Sequence, residues 1–571
     1  MIREQLRGLI QNALHSLNLE EEIVELEQTT DPLHGDYATN VALMYAKKAG
    51  LNPRELAQRI TEELSRAPSS DIEKIEIAGP GFINFRLSDE YFSGALDNAL
   101  KKSKKWGNNE TLAGKKVIVE YADPNPFKEF HIGHLMSNTI GESIARIIEA
   151  SGADTKRACY QGDVGMHVAK AVWGMIWIPN ESGKPKKPSD DASLQKKISF
   201  IAESYAFGAT AFEANPSVKE QIAGINKNIY SREGPQTNEI YDWGRKVSLD
   251  YFETIYKKLG TKFDFNFFES QTGEFGKKVV LENPAIFEKS DGAIVYKGDE
   301  SKGLHTRVFI NSEGLPTYES KELGLAKIKY DIYPYDTSIV ITGNEVNDYF
   351  RVILDAMSKV FPELAKKTVH ISHGMLRLPS GKMSSRTGDV ITAESLIADT
   401  KERALAKISQ EAFLQGEKDI LAEKVALGAI KYSILKQASG KDIIFDFEQS
   451  LSFEGDSGPY LQYTYARTRS LLEKAKGRDI DVLFKRTETN ALHKVILHFP
   501  EIVLRANEER EPHFIATYLI ELAREFNSFY AHTIVLNDAP DEPHKLALVK
   551  AVSQTLENGL NLLGISAPER M

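Results

Sequence analysis

Two histidines, His131 and His134, flank Gly133 in the segment His131-Ile132-Gly133-His134. The segment follows a short β-branched run, Val117 to Ala122, and a proline-rich turn, and it opens a helical pattern that runs to Ser151. The first turn of such a helix offers unbonded backbone N–H groups and a positive dipole end, which suit a phosphate. Imidazoles at i and i+3 share one face, and Gly133 lets a ligand approach the backbone closely. The same spacing fits a structural histidine pair, whereas a metal site needs a third ligand that no neighbour supplies. A second candidate lies 251 positions on, where Lys382-Met383-Ser384-Ser385-Arg386 forms a small-residue stretch carrying two cations. Alone, it reads as a flexible basic loop. No Walker A pattern and no complete G-x-G-x-x-G occurs, so the ordinary P-loop and dinucleotide readings lack their fingerprint.

The elements that must hold these residues follow from periodicity. Val117 to Ala122 and Thr155 to Tyr160 are strand-like, and each runs into a turn, the second being Gln161 to Gly165. Strand, turn, helix and strand make a βαβ unit with a parallel sheet, and ligands of such a sheet bind beyond the carboxyl ends of its strands. Both turns are therefore expected at one site. Residues 180–300 lose this rhythm and read as an insertion. Arg307 to Asn311, a helix over Thr317 to Tyr330, and Ser338 to Thr342 are expected to resume the sheet. Residues 1–110 read as an α+β unit whose strands meet at a Gly-Pro-Gly turn between Ile72 and Leu87. Residues 401–571 are helical in pattern throughout. The expected fold is a Rossmann-like α/β catalytic domain (111–400), preceded by the α+β domain and followed by an all-α bundle.

Composition limits the functional classes. Over 571 residues, 71 Lys and Arg against 81 Asp and Glu leave a formal charge of −10, which excludes a uniformly basic nucleic-acid binder. A lone cysteine, Cys159, excludes a disulfide scaffold and a thiolate zinc pair and points to a reducing compartment. The apolar run Ala171 to Ile178 is far shorter than the roughly 20 residues that span a bilayer. A cytoplasmic monomer with no membrane association is expected.

HIGH and KMSSR in this order resemble the two signatures of class I aminoacyl-tRNA synthetases. The match narrows in Val119 to Arg146 (VEYADPNPFKEFHIGHLMSNTIGESIAR), Leu315 to Tyr318, Ser452 to Leu472 and the ending Asn561 to Met571, all similar to arginyl-tRNA synthetases. The resemblance implies activation of L-arginine by ATP, then transfer to the terminal adenosine of tRNA(Arg), with Mg²⁺ accompanying ATP and no protein-bound zinc. It implies that His131, Gly133, His134, Gly343, Lys382 and Met383 bind ATP, with Ser384, Ser385 and Arg386 assisting the chemistry. It assigns arginine to Glu120, Asp123, Asn125, His167, Tyr318 and Glu322, with Glu120 as guanidinium partner. Planar guanidinium donors are best met by carboxylates accepting bidentate bonds. It assigns tRNA to Tyr460, Gln462, Tyr463 and Arg467 in the bundle and to Tyr37 and Asn84 in the N-terminal unit. Four positions depart from the family's usual residues: Asp123 for serine, His167 and Val346 for glutamine, and Glu322 for aspartate. An inactive tRNA-binding paralogue would be expected to show a damaged signature. A nucleotidyltransferase of the same fold would leave both flanking domains unexplained.

Overall fold

A computed structural model describes residues 2–19, 24–29, 34–66, 68–178, 187–379, 391–408, 414–483 and 491–571. At its centre is a five-stranded, wholly parallel sheet in the order Thr368–His373, Thr337–Gly343, Lys116–Glu120, Asp154–Gln161, Phe265–Phe268. Chain order runs outward in both directions from Lys116–Glu120. The gap between that strand and Thr337–Gly343 is therefore the topological switch point, where open α/β sheets bind ligands.

The helix Ile132–Ala150 crosses from the first strand to the second and is buried along most of its length. This burial follows from its near-continuous run of apolar and small residues. The strand Phe265–Phe268 was not anticipated; four residues next to a long helical stretch leave too short an alternation to read. Between the second strand and this one run the helices Met166–Trp177, Leu194–Ala214, Pro216–Ser231 and Pro235–Leu259. Arg307–Ile310 is a strand, as its composition predicts, but it pairs antiparallel with Ala293–Tyr296 in a separate three-stranded sheet rather than resuming the central one.

The N-terminal strands Ile72–Ala78 and Phe82–Leu87 pair antiparallel inside a four-stranded sheet. With the helices Ile2–Ser16, Val41–Ala49 and Pro53–Arg66 they close a core around Leu6, Ile10, Leu56, Ile60, Ile83 and Phe85. The C-terminal bundle contains the helices Gln415–Leu435, Gly458–Lys474, Ala491–Glu509, His513–His532 and Glu542–Leu562.

Two basic side chains tie this bundle to the catalytic domain. Arg146, near the end of Ile132–Ala150, donates to Glu142 of its own helix (2.7 Å), to Gly260 O (3.0 Å) and to Asn561 O and Oδ1 (3.0 and 2.9 Å). Lys431 donates to Leu259 O and Gly564 O, both at 2.6 Å. Carbonyls left over at two helix C-termini are thus satisfied by basic side chains, the guanidinium of Arg146 and the Lys431 amine, whose pKa burial lowers to about 7.

Candidate active site

His131 is the N-cap of Ile132–Ala150. Its Nδ1 accepts the Gly133 N–H (3.1 Å), while His134 Nδ1 accepts the His131 N–H (3.2 Å), and the rings stack with centroids 3.6 Å apart. Burial lowers the His131 pKa to about 4 and holds His134 well below its ordinary value, so both rings are neutral. With both Nδ1 atoms accepting, each ring carries its proton on Nε2 and offers a donor there. A Cβ on Gly133 would stand 2.9 Å from the His131 ring, which is why glycine fits between them.

The turn preceding this helix holds three non-glycine residues in the left-handed region: Ala122 (φ 73°), Asp123 (φ 44°) and Phe127 (φ 69°). Such conformations cost of order 1 kcal/mol or more each and persist only where the surroundings enforce them. Here Ala122 N–H donates to Ser137 Oγ (3.0 Å), which donates to Ile341 O (2.9 Å). Tyr160 N–H donates to Asp123 Oδ1 (2.7 Å), and Phe127 N–H donates to Ser248 Oγ (2.9 Å). Asn125 reaches across to Gly162, where any side chain would overlap its Oδ1.

Apart from Phe127 and Ser248, these residues line a cleft of about 540 Å³ at the switch point, together with Tyr318, Glu322, Gly343, Glu345, Val346 and Tyr349. Its interior is dense in charge. Glu120, Glu269 and Glu322 are buried, while Asp123 keeps some surface open to the cleft it lines. Two buried lysines of the helix Tyr318–Ile332 neutralise two of the four: Lys329 Nζ lies 2.6 Å from Glu120 Oε2, and Lys321 Nζ lies 2.5 Å from Glu269 Oε2. Arg307 leans on Glu319 (3.7 Å) and on the Tyr349 ring, and Glu345 lies against Gly343. Asp123 and Glu322 have no such cation. Burial, then the neighbouring Glu120, raises Glu322 to about 8 and holds Asp123 well above the usual carboxylate range. The cleft is thus built to receive positive charge.

Of the residues the sequence nominated, the structure gathers His131, Gly133, His134, Gly343, Glu120, Asp123, Asn125, Tyr318 and Glu322 around this one cleft. Glu120, expected as the guanidinium partner, lines the cleft with its Oε2 on Lys329 Nζ at 2.6 Å. His167 is not part of that lining, and its Nε2 bonds Gly162 O (2.9 Å), bracing the turn. Lys382, Met383, Ser384, Ser385 and Arg386 lie outside the described residues. Sequence reasoning missed Glu269, Lys321, Lys329, Tyr349 and the buried Asp163. The last accepts from Ser270 N–H (2.9 Å), Ser270 Oγ (2.7 Å) and Arg245 Nε (2.9 Å), fixing the start of the helix Glu269–Glu282.

The matches to known proteins decide between the readings. Residues 95–447 match the profile described as tRNA synthetases class I (R), catalytic domain. Residues 4–87 match the arginyl tRNA synthetase N terminal domain, and residues 461–571 match the DALR anticodon binding domain. The chain belongs to the arginyl-tRNA synthetase family. An arginine–tRNA ligase of Fusobacterium nucleatum is 32% identical, with 99% of each chain covered. One from Treponema denticola is 30% identical over 96% of this chain and 95% of the relative. The crystal structure of Thermus thermophilus arginyl-tRNA synthetase superposes with a TM-score of 0.82 at 25% identity over the full length of both chains. That from Plasmodium falciparum gives 0.79 at 22%, which supports the fold. The synthetase is therefore a class I arginine–tRNA ligase with the three-part architecture read from its sequence.

The synthetase's bundle carries a second cleft, of about 710 Å³, lined by Tyr463, Arg467, Arg469, Lys474, Tyr530 and Arg570. Arg467 sits between the Tyr463 and Tyr530 rings, 4.9 and 5.1 Å from their centroids, and bonds Asn527. Tyr460 accepts from Asn527 Nδ2 through its hydroxyl (2.9 Å). Gln462 is fully buried and donates to Lys424 O and Ser566 O, so it packs the bundle instead of facing RNA. Tyr37 is buried with its hydroxyl on Glu501 (3.0 Å), and Asn84 is buried in the N-terminal sheet; neither presents a surface for tRNA. Phe82, two residues before Asn84, is exposed. No helix among the described residues is long and apolar enough to cross a membrane.

Proposed function

We propose that the switch-point cleft joins L-arginine to ATP as arginyl-adenylate, releasing pyrophosphate, and then passes the arginyl group to the terminal adenosine of tRNA(Arg). The observation that carries this reading is the opposition, in one cleft, of two neutral Nε2–H donors at a helix N-terminus and an acidic wall on which Asp123, Glu322 and Glu345 lie without a salt-bridge cation among the described residues.

The attacking group is the substrate's own α-carboxylate, already ionised, so adenylation needs no general base. What it needs is alignment and neutralisation of charge at the phosphates. His131 and His134 donate from Nε2 to phosphate oxygens, and Gly133 and Gly343 leave room for the nucleoside. The two neutral imidazoles add no positive charge at the phosphates, which Mg²⁺ arriving with ATP would supply. Lys382, with Ser384, Ser385, Arg386 and Met383, is assigned from sequence to the leaving pyrophosphate. Glu322 takes the guanidinium, with Tyr318 and Tyr349 beside it. In the bundle, Tyr463, Arg467 and Tyr530 form an aromatic and cationic surface suited to unstacked RNA bases.

ATP–pyrophosphate exchange with each amino acid, with and without tRNA(Arg), tests the reading. Of the amino acids only arginine should support exchange, and it should do so only with the tRNA present. Exchange with another amino acid, or with none under any condition, overturns it.

A further inference from the structure

The bundle and the cleft are joined by one buried set of hydrogen bonds, whose bearing on the reaction rests on the reading above. Glu142, in the middle of the histidine helix, is buried and accepts from three side chains: the Tyr121 hydroxyl (2.5 Å), Arg146 Nε (2.7 Å) and Arg157 Nε (3.1 Å). Tyr121 directly follows the strand Lys116–Glu120, Arg157 lies on Asp154–Gln161, and Arg146 stands one helical turn beyond Glu142. Arg146 carries the bonding into the bundle's last helix, Glu542–Leu562, through Asn561 O and Oδ1, and Ser143 Oγ donates to Leu562 O (2.8 Å). In the other direction, Tyr121 runs straight into Ala122 and Asp123, the left-handed residues that line the cleft. We propose that Glu142 is a positioning residue for adenylation, which passes the seating of the bundle's last helix, through Arg146 and Tyr121, to the turn lining the cleft.

The packing gives this route little slack. A Cβ on Gly141 would overlap the Tyr121 ring, and the Phe263 ring lies 4.9 Å from it, so the phenol is held on both flanks. The Tyr121 side chain is fully buried, and a buried hydroxyl left without its acceptor is costly. Burial and the Glu142 carboxylate hold its pKa well above the ordinary value, so it remains a donor. Arg157 also bonds Glu149 Oε2 (3.0 Å), which anchors it within the catalytic domain and leaves Arg146 as the guanidinium shared with the bundle. Left-handed conformations at Ala122 and Asp123 persist only under outside restraint, and the residue before them is part of that restraint. Linkage then runs both ways: a bundle seated by tRNA favours the turn that accepts substrate, and an occupied cleft favours the seated bundle.

The test is ATP–pyrophosphate exchange by the full chain at saturating L-arginine, ATP and tRNA(Arg), with the Kd for tRNA(Arg) measured separately. Replacing Glu142 itself would strand two guanidiniums, so the route is cut at its two ends instead. Tyr121→Phe keeps the ring and removes only the hydroxyl. It should lower the exchange kcat about 10-fold, the effect of one hydrogen bond to a charged group, and leave the tRNA Kd within about twofold. Asn561→Ala, at a position outside the lining of both clefts, should lower kcat about 3-fold. The double variant should be no slower than Tyr121→Phe alone, because one route is cut twice, whereas unconnected sites multiply their effects. Multiplied losses overturn the proposal. So does an unchanged kcat in Tyr121→Phe, or a loss confined to tRNA affinity, which would make Glu142 only a clasp between domains. Should Tyr121→Phe not fold, Asn561→Ala decides alone: a lower kcat at unchanged tRNA Kd supports the route, and an unchanged kcat removes it. No exchange by the unmodified chain with any amino acid would instead overturn the function proposed above.

Discussion

The switch-point cleft and the tyrosine–arginine face of the bundle both combine charge with aromatic rings, but in different media. In the cleft the Glu120–Lys329 pair has lost its water, and both side chains are 3% exposed or less. On the bundle, Tyr463 and Tyr530 remain 37% and 40% exposed, and the half-buried arginine between them lines an open cleft reached by solvent and salt. A desolvated charge is costly unless its partner is fixed, so it can discriminate between ligands by number and position of charges. A screened charge on a stacking surface tolerates many geometries and contributes affinity rather than selection.

Removing one half of a desolvated pair should have the largest effect. Lys329→Met should cost about 3–5 kcal/mol in unfolding free energy, read by denaturant titration, and Glu120→Gln in the same chain should restore much of it. Full stability in the single variant would mean that Glu120 finds water, which breaks the contrast. Next, Glu322→Gln should raise the arginine KM about 10- to 150-fold, the value of a charge-assisted hydrogen bond, and leave the ATP KM nearly unchanged. On the screened side, Arg467→Ala should raise the tRNA KM by about 5- to 100-fold, as expected for about 1–3 kcal/mol of stacking, and the loss should shrink at high salt. An equal salt dependence for Glu322→Gln would erase the distinction.

The pH dependence sharpens it further. Glu322, raised to about 8, is mostly neutral at pH 6 and must ionise to hold a guanidinium. The arginine KM should therefore fall as pH rises from about 6 to 8, by at most tenfold per pH unit for this one group, and Glu322→Gln should flatten the profile. The smallest effect is expected at the exposed pair Lys366–Glu363, where Lys366→Ala should leave the denaturation midpoint unchanged.

What the sequence disclosed divides along the same line. The histidine helix was legible because its cap, glycine and apolar run are contiguous. The bundle was legible because 3.6-residue periodicity survives without knowledge of its partners. Lys321 and Lys329 were not, since a lysine on an amphipathic helix looks solvated until a carboxylate from another strand or helix is placed beside it. Glu269 and Asp163 were invisible for the same reason: each acts through a partner tens of residues or more away. Tyr37, Asn84 and Gln462 misled in the opposite direction, because a polar side chain buried within its own domain has the same composition as one that faces RNA.

Arg146 gives the histidine helix a mechanical property. Its guanidinium holds the far end of a rod whose near end carries His131, with the tail of the bundle gripped in the same fork. Fifteen residues at 1.5 Å each make a lever arm of roughly 22 Å. A tilt of about 2° at the bundle end therefore displaces the histidine rings by roughly 0.8 Å, comparable to the whole tolerance of a hydrogen bond to phosphate. Small rotations at one end of the molecule arrive at the other as distances that chemistry can feel.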